Sequence, residues 1–234
     1  DLISTVPESW AYAARNPERS ARVGGRDTVF ANAYGAPFVY GLDGQRRPSM
    51  LEDAHNFFKM GQMAQAMHVP GILPVEPQDL PVPHRHLELM HAALTLTDKP
   101  VKGSVLSETA ARDCVDMVRI VFGEEFVDQN VVMAALLNCN TPLVWDETML
   151  KSLRVYAAAN QPCLLSPVVL AGASTPASPM GGVALLIAES LAGMAYSQII
   201  RRGAPMVLGV AIMGVSMKTG APMMGSPEPG LMNL

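Results

Sequence analysis

The chain has 234 residues, 49% of them hydrophobic and 16% charged, with a formal net charge of -4. That is enough polypeptide for one large α/β domain with a sizeable core. The acidic balance argues against a nucleic-acid surface or any other polyanion partner, since the arginines between Arg15 and Arg26 are diluted by Glu18 and Asp27.

Residues 1–35 carry Pro7, Trp10, Asn16-Pro17 and Gly24-Gly25 without a sustained period, and read as a lead-in with a short strand pair around Thr28 to Ala33. Six apolar, strand-like segments then recur about every thirty residues, each followed by a helix-like stretch. They are Phe38 to Leu42, Gly71 to Val75, Val101 to Leu106, Val131 to Leu137, Cys163 to Leu170 and Met206 to Ile212. Between them, Ser49 and Glu52 have capping-box spacing ahead of a helix to about Met67. A proline-stiffened loop after Val75 leads to a helix from about His84 to Leu96. The next helix opens at Ser107, shows an apolar stripe at Ala110, Cys114, Met117, Val118 and Val121, and ends at Gly123. Another runs from near Asp146 to Asn160. The last full one starts with Ser178 as cap and Pro179 in its first position, and ends at Arg201-Arg202-Gly203.

The βα repeat predicts a TIM-type (β/α)8 barrel over residues 36–234, of which this chain supplies about six units, because complete barrels take about 250 residues. The chain starts at Asp1 and stops after a turn-rich run, which reads as an incomplete polypeptide. Its outer strands would then expose unpaired edges, and isolated folding is expected to be poor. Met180 to Ile200 is long and apolar but interrupted by Glu189, Ser190 and Gln198, so a buried helix is expected there and no membrane span. Cys114, Cys139 and Cys163 show neither C-x-x-C nor zinc-like spacing and fit a reducing, cytoplasmic compartment.

Barrels of this kind place their chemistry in the loops after the strands. Asn138 and Asn140 alternate along a strand and so point to one face, serving either a ligand at the barrel mouth or the local turn. Asp43-Gly44 is most simply a turn, and Glu108 suits the first turn of a helix. His84-x-His86 lacks a third ligand, so no metal is expected. No serine sits in a nucleophile elbow. Lys102 and Lys218 leave a Schiff-base aldolase or lyase open. The sixteen methionines are core filler or an apolar docking surface, crowding the last strand and loop at Met206, Met213, Met217, Met223 and Met224.

Several loop runs, in order along almost the whole chain, resemble one family. They are Asn16-Pro17-Glu18-Arg19, Gly24-Gly25, Pro37-Phe38-Val39, Asp43-Gly44-x-Arg46-Arg47-Pro48, Ser174-Thr175-Pro176-Ala177-Ser178, Glu189-x-x-Ala192-Gly193 and Gly220-Ala221-Pro222, followed by Gly225 to Asn233. Together they resemble the trimethylamine methyltransferases. That resemblance implies a barrel enzyme moving a methyl group from a methylated amine to the Co(I) of a corrinoid (cobalamin) carried by a separate small protein. Founding members contain pyrrolysine, whereas relatives without it act on quaternary amines such as glycine betaine. This chain has no nonstandard residue, and the corresponding position is expected beyond Leu234.

Cobalt attack on a quaternary amine needs orientation and desolvation, with no acid-base dyad. The expected site therefore offers Tyr40, Glu76 and Glu228 to the substrate cation and Asn138, Asn140 and Ser166 to its polar groups. Met213 and Met217 are expected to line the corrinoid entrance. No catalytic residue is carried over from the family, and a homo-oligomer is expected. The alternatives are a barrel that binds a methylated amine without turning it over, or the aldolase or lyase already named.

Overall fold

The computed structural model describes residues 2–32, 35–71, 73–223 and 227–232, leaving aside the side chains of Glu228, Pro229 and Met232. The lead-in is an antiparallel hairpin of β1 (Ser9–Tyr12) and β2 (Ala21–Gly24). It precedes the span from Thr28, of which Ala31 makes only an isolated parallel bridge, to Val69. A second hairpin follows, pairing β3 (Phe38–Tyr40) with β4 (Arg46–Pro48).

The first expected barrel strand is thus corrected to an antiparallel hairpin arm. Gly44 adopts φ +75° in the turn, which folds Tyr40 back onto Arg46 before a parallel run can start. Only Val39 of the arm is half-buried. The second expected strand, Gly71 to Val75, is likewise no ladder. Among its described residues only Val75 makes a bridge, to Ala36, and Pro70 and Pro74 lack the N–H donors that a ladder consumes.

Helix α1 (Leu51–Met63) begins one residue later than its capping box suggested. Asp53 accepts the Met50 N–H at 2.9 Å and is itself gripped through both oxygens by Arg47 at 2.7 Å. Ser49 is buried and donates to the carbonyl of Glu76 at 2.6 Å. Helix α2 (Val82–Leu96) then leads to the main sheet.

That sheet has four parallel strands, β5 (Val101–Gly103), β6 (Met133–Leu137), β7 (Cys163–Leu165) and, after the short β8 (Val168–Ala171), β9 (Met206–Leu208). β8 pairs in parallel with β10 (Ala211–Val215), which also takes the two-residue β11 (Pro222–Met223). One sequence offset joins Cys163 to Met206 and Val168 to Ala211, so these are a single long ladder broken at Pro167 and Gly209. The last four expected strands are therefore present and run the same way.

Helices α3 (Glu108–Phe122), the short α4 (Glu124–Gln129), α5 (Glu147–Ala158) and α6 (Pro179–Ile200) follow, with α7 (Pro227–Met232) last. Their starts were legible. Ser107, Asp146 and Ser178 each accept the N–H three residues on, and Gly123 closes α3 at φ +89°.

Alternation along the strands divides two cores. Val101, Met133, Ala135, Leu137, Cys163, Leu165 and Met206 pack with the helices, which lie side by side from α1 to α6 against one sheet face. On the other face Ala134 and Leu164 meet Trp10, Tyr12, Val23, Val29 and Val69, so the lead-in hairpin covers the sheet. The Tyr12 hydroxyl donates to the Val101 carbonyl, and the Ala13 N–H reaches Val131, placing the hairpin at the start of β5 and β6. The opposite end is left to the loops. Helix α6 is long and apolar enough to cross a membrane, yet it packs on β7, β8 and β9 and buries its polar residues Glu189, Ser190, Ser197 and Gln198.

Candidate functional site

At the C-terminal end of β6 the alternation continues through Leu137-Asn138-Cys139-Asn140, leaving Leu137 and Cys139 buried and both asparagines exposed. The neighbouring strand ends close by, because the Ser166 N–H extends the ladder onto the Leu137 carbonyl at 2.9 Å. With its amide nitrogen turned toward acceptors, Asn138 donates to the Ser166 carbonyl at 2.5 Å. Beyond Ser166, Gly209 donates to Leu165 at 2.6 Å, and a Cβ at Gly209 would lie 2.8 Å from the Leu165 carbonyl oxygen and from Ser166 Cβ. Glycine is what allows the third strand to approach. Asn138 and Ser166 thus share a rim in which hydrogen-bonding groups stand beside an apolar sheet interior.

The rim is held from beneath by Glu189 of α6, 1% exposed, whose carboxylate gathers the loop after β6. Oε2 accepts from the Cys139 thiol at 3.0 Å and the Thr141 hydroxyl at 2.9 Å, while Oε1 accepts the Leu143 N–H at 2.6 Å. That last bond fixes Leu143 at φ +59°, a conformation leucine rarely adopts. Trp145 donates its indole N–H to the Glu189 carbonyl and lies against Gly193, where a Cβ would come within 2.7 Å of the ring. Burial, then the Glu189 carboxylate, push the Cys139 thiol up to about 12. In the sequence Glu189 shows only as part of a loop motif and as an interruption of an apolar helix. A lone carboxylate in such a helix signals a fixed partner set, because burying it otherwise is costly.

The other expected residues are distributed more widely. Tyr40 stands 73% exposed on its hairpin. Glu76 is half-buried and joined to the buried Arg85 at 3.1 Å, so much of its charge is already met by a guanidinium. Asn140 is exposed and bridges to Val144 through its backbone. Met213 is half-buried in β10 opposite Leu170, and Met217 is 98% exposed in the turn after it. The Glu228 side chain lies outside the described residues. Among those residues, hydrogen bonds and ion pairs join Asn138 to Ser166 and Glu76 to Arg85, and none links the side chains of Tyr40 or Asn140 to either pair.

His84 is exposed on α2, whereas His86 is buried and bonded through Nε2 to Asp113 at 2.7 Å. Among the described residues no three His, Cys, Asp or Glu side chains cluster as metal ligands. Lys102 of β5 projects to the lead-in side of the sheet, 7% exposed, and burial lowers its proton affinity. Lys218 is exposed.

The model of the trimethylamine methyltransferase family matches residues 1–234. The chain belongs to this family. It is similar to a glycine betaine methyltransferase of Desulfitobacterium hafniense (strain Y51), 38% identical over 230 residues that make up 98% of this chain and 48% of that protein. It is also similar to trimethylamine methyltransferase MttB of Desulfitobacterium hafniense (strain DSM 10664 / DCB-2), 22% identical over 238 residues, 100% of this chain and 47% of that protein. The chain spans about half the length of these curated relatives. The resemblance carried by the loop runs is borne out along the full chain.

Proposed function

We propose that the protein moves a methyl group from a quaternary or tertiary methylated amine, betaine-like in structure, to the Co(I) of a corrinoid carried by a small partner protein. The observation that carries this reading is the 38% identity to a glycine betaine methyltransferase across 98% of the chain. In this proposal the four-stranded sheet is part of a TIM-type barrel formed by residues 36–234 with further βα units, and residues 1–35 are its lead-in. The protein works in the cytoplasm as a homo-oligomer.

The chemistry asks the chain for little acid-base work. A quaternary nitrogen is already a leaving group, so the methyl carbon needs only to face the metal in line within a dry, oriented site. Asn138 and Ser166 at the rim orient the substrate's polar end, Asn140 extends that edge, and Glu76, Tyr40 and Glu228 contribute the surroundings of the cation. Met213 and Met217 offer polarizable thioethers where the corrinoid approaches.

The test is spectroscopic. Intact protein mixed with Co(I) cobalamin and glycine betaine, proline betaine, carnitine or trimethylamine should yield the methylcobalamin spectrum with at least one of them. Failure with the entire panel would overturn the reading. The Schiff-base alternative finds burial and lowered proton affinity at Lys102 but, among the described residues, no acid hydrogen-bonded to the amine, and borohydride trapping of a substrate adduct would be its readout.

A further inference from the structure

Glu76 and Arg85 form an ion pair at 3.1 Å, with the arginine side chain 7% exposed and the glutamate side chain 35% exposed. Each partner is fixed by its own surroundings. The Glu76 N–H donates to the Ala36 carbonyl at 2.9 Å, and its carbonyl accepts from the Ser49 hydroxyl at 2.6 Å and the Gln78 amide at 2.7 Å. Arg85 stands near the start of α2 and donates through its second terminal nitrogen to the Leu80 carbonyl at 3.2 Å, so one guanidinium holds both ends of the loop from Glu76 to Leu80. Helix α2 packs against α1 on one side and α3 on the other, so the pair is built entirely from elements of this chain.

The electrostatic consequence concerns what the exposed edge of Glu76 can attract. A bare carboxylate draws in any ammonium and repels any ligand carboxylate, and the less water surrounds it the stronger both effects become. With a buried guanidinium against one oxygen, the pair presents little net charge. A lone cation therefore gains less there, and a ligand that carries its own carboxylate beside the cation is repelled less. Specificity is a difference of affinities, and removing a repulsion serves it as well as adding an attraction.

We propose that Arg85 is a positioning residue that acts through Glu76 to set substrate class, selecting amines that carry their own carboxylate, betaine-like zwitterions, over quaternary amines bearing only the positive charge. This rests on the reading that Glu76 belongs to the surroundings of the substrate cation.

The probes are glycine betaine and choline, which share a trimethylammonium group and differ in carboxylate against hydroxyl. Calorimetry on the intact protein should show glycine betaine binding at least tenfold more tightly than choline. In Arg85→Met the ratio should fall by about tenfold, with choline tighter and glycine betaine weaker, whereas Arg85→Lys, which keeps the charge, should hold it within about threefold. Glu76→Gln should move the ratio the opposite way, which keeps the test open if Arg85→Met does not fold. The double variant, with both charges gone, should return close to the unaltered ratio. A merely structural role for Arg85 would weaken both ligands together, and that parallel loss would overturn the proposal. An unmoved ratio in Arg85→Met, or no binding of either probe to the unaltered protein, would overturn it too. Methyl transfer is read separately, from methylcobalamin formation, so turnover with an unmoved ratio sinks this inference alone, and the expected ratios without turnover sink the methyl-transfer reading alone.

Discussion

The Glu189 carboxylate and the Cys139 thiol, fifty residues apart in sequence, stand 3.0 Å apart between Oε2 and Sγ. The same side chain also takes the Thr141 hydroxyl and the Leu143 N–H, so a buried charge is satisfied by three neutral donors from one loop. That loop begins at Asn138. Glu189 therefore acts as a positioning residue, linking the packing of α6 to the geometry of the rim.

Glu189→Gln keeps the shape but replaces one acceptor oxygen with a donor, which must face either the Leu143 N–H or the hydroxyl and thiol pair. Leaving a buried donor unmet costs about 1–3 kcal/mol. Urea unfolding of the variant should show a lower midpoint with an unchanged slope. A midpoint equal to that of the unaltered protein would mean that the three bonds hold nothing.

The cysteines give a second check on the same contact. Burial raises all three thiols, with Cys114 and Cys139 pushed up to about 12. Thiolate is the reactive form, so iodoacetamide at pH 8 should leave the folded protein essentially unlabelled, and mass spectrometry should find three adducts once urea is present. The Glu189 charge contributes to the rise at Cys139, so Glu189→Gln should label faster there than at Cys114 or Cys163.

What the sequence made legible follows from locality. Ser107, Asp146 and Ser178 announce helix starts within three residues, and long apolar runs such as Met133–Leu137 announce buried parallel strands. Phe38 to Leu42 carried the same apolar signal, but its fate depended on the turn at Gly44 and the partner strand that the turn supplied. Gly71 to Val75 was misleading because hydrophobicity says nothing of missing N–H donors at prolines. At the site, alternation gave the shared exposure of Asn138 and Asn140, since a strand has a period of two. The pairing of Glu76 with Arg85 and the clamp at Glu189 link separate elements, where spacing in sequence holds no information.

Asn138 and Tyr40 should separate in a kinetic comparison. Asn138 reaches across to Ser166 at the strand ends, whereas Tyr40 is 73% exposed on a separate hairpin. Under the methyl-transfer reading, Asn138→Ala should lower kcat/KM by about tenfold, the equivalent of one hydrogen bond of about 1.4 kcal/mol, and Tyr40→Ala should lower it by only about twofold, as for an exposed aromatic face contributing about 0.5 kcal/mol to a cation. Methylcobalamin formation at several amine concentrations would check both. Equal effects of the two substitutions would remove the rim from the site.

Lys102 predicts how stability varies with pH. Burial holds its folded-state pKa below the ordinary 10.5, so between the lowered value and 10.5 the unfolded chain binds more protons than the folded one. Stability contributed by this group therefore rises with pH across that window, and below the window the folded protein carries the full cost of a buried ammonium. Tyr12, whose phenol burial pushes upward, stays neutral in the folded protein, so its titration in the unfolded chain near pH 10 lowers stability as pH rises, opposite in sign to the Lys102 slope and common to both proteins compared below. Lys102→Met places an apolar chain among Trp10, Val69, Leu164 and Val207 and removes the titration. It should raise the urea midpoint at pH 7, and its advantage should shrink as pH climbs toward 10.5. Unfolding curves at pH 7, 8, 9 and 10 would show this convergence, and parallel curves for the two proteins would mean that Lys102 is solvated or paired in the folded state.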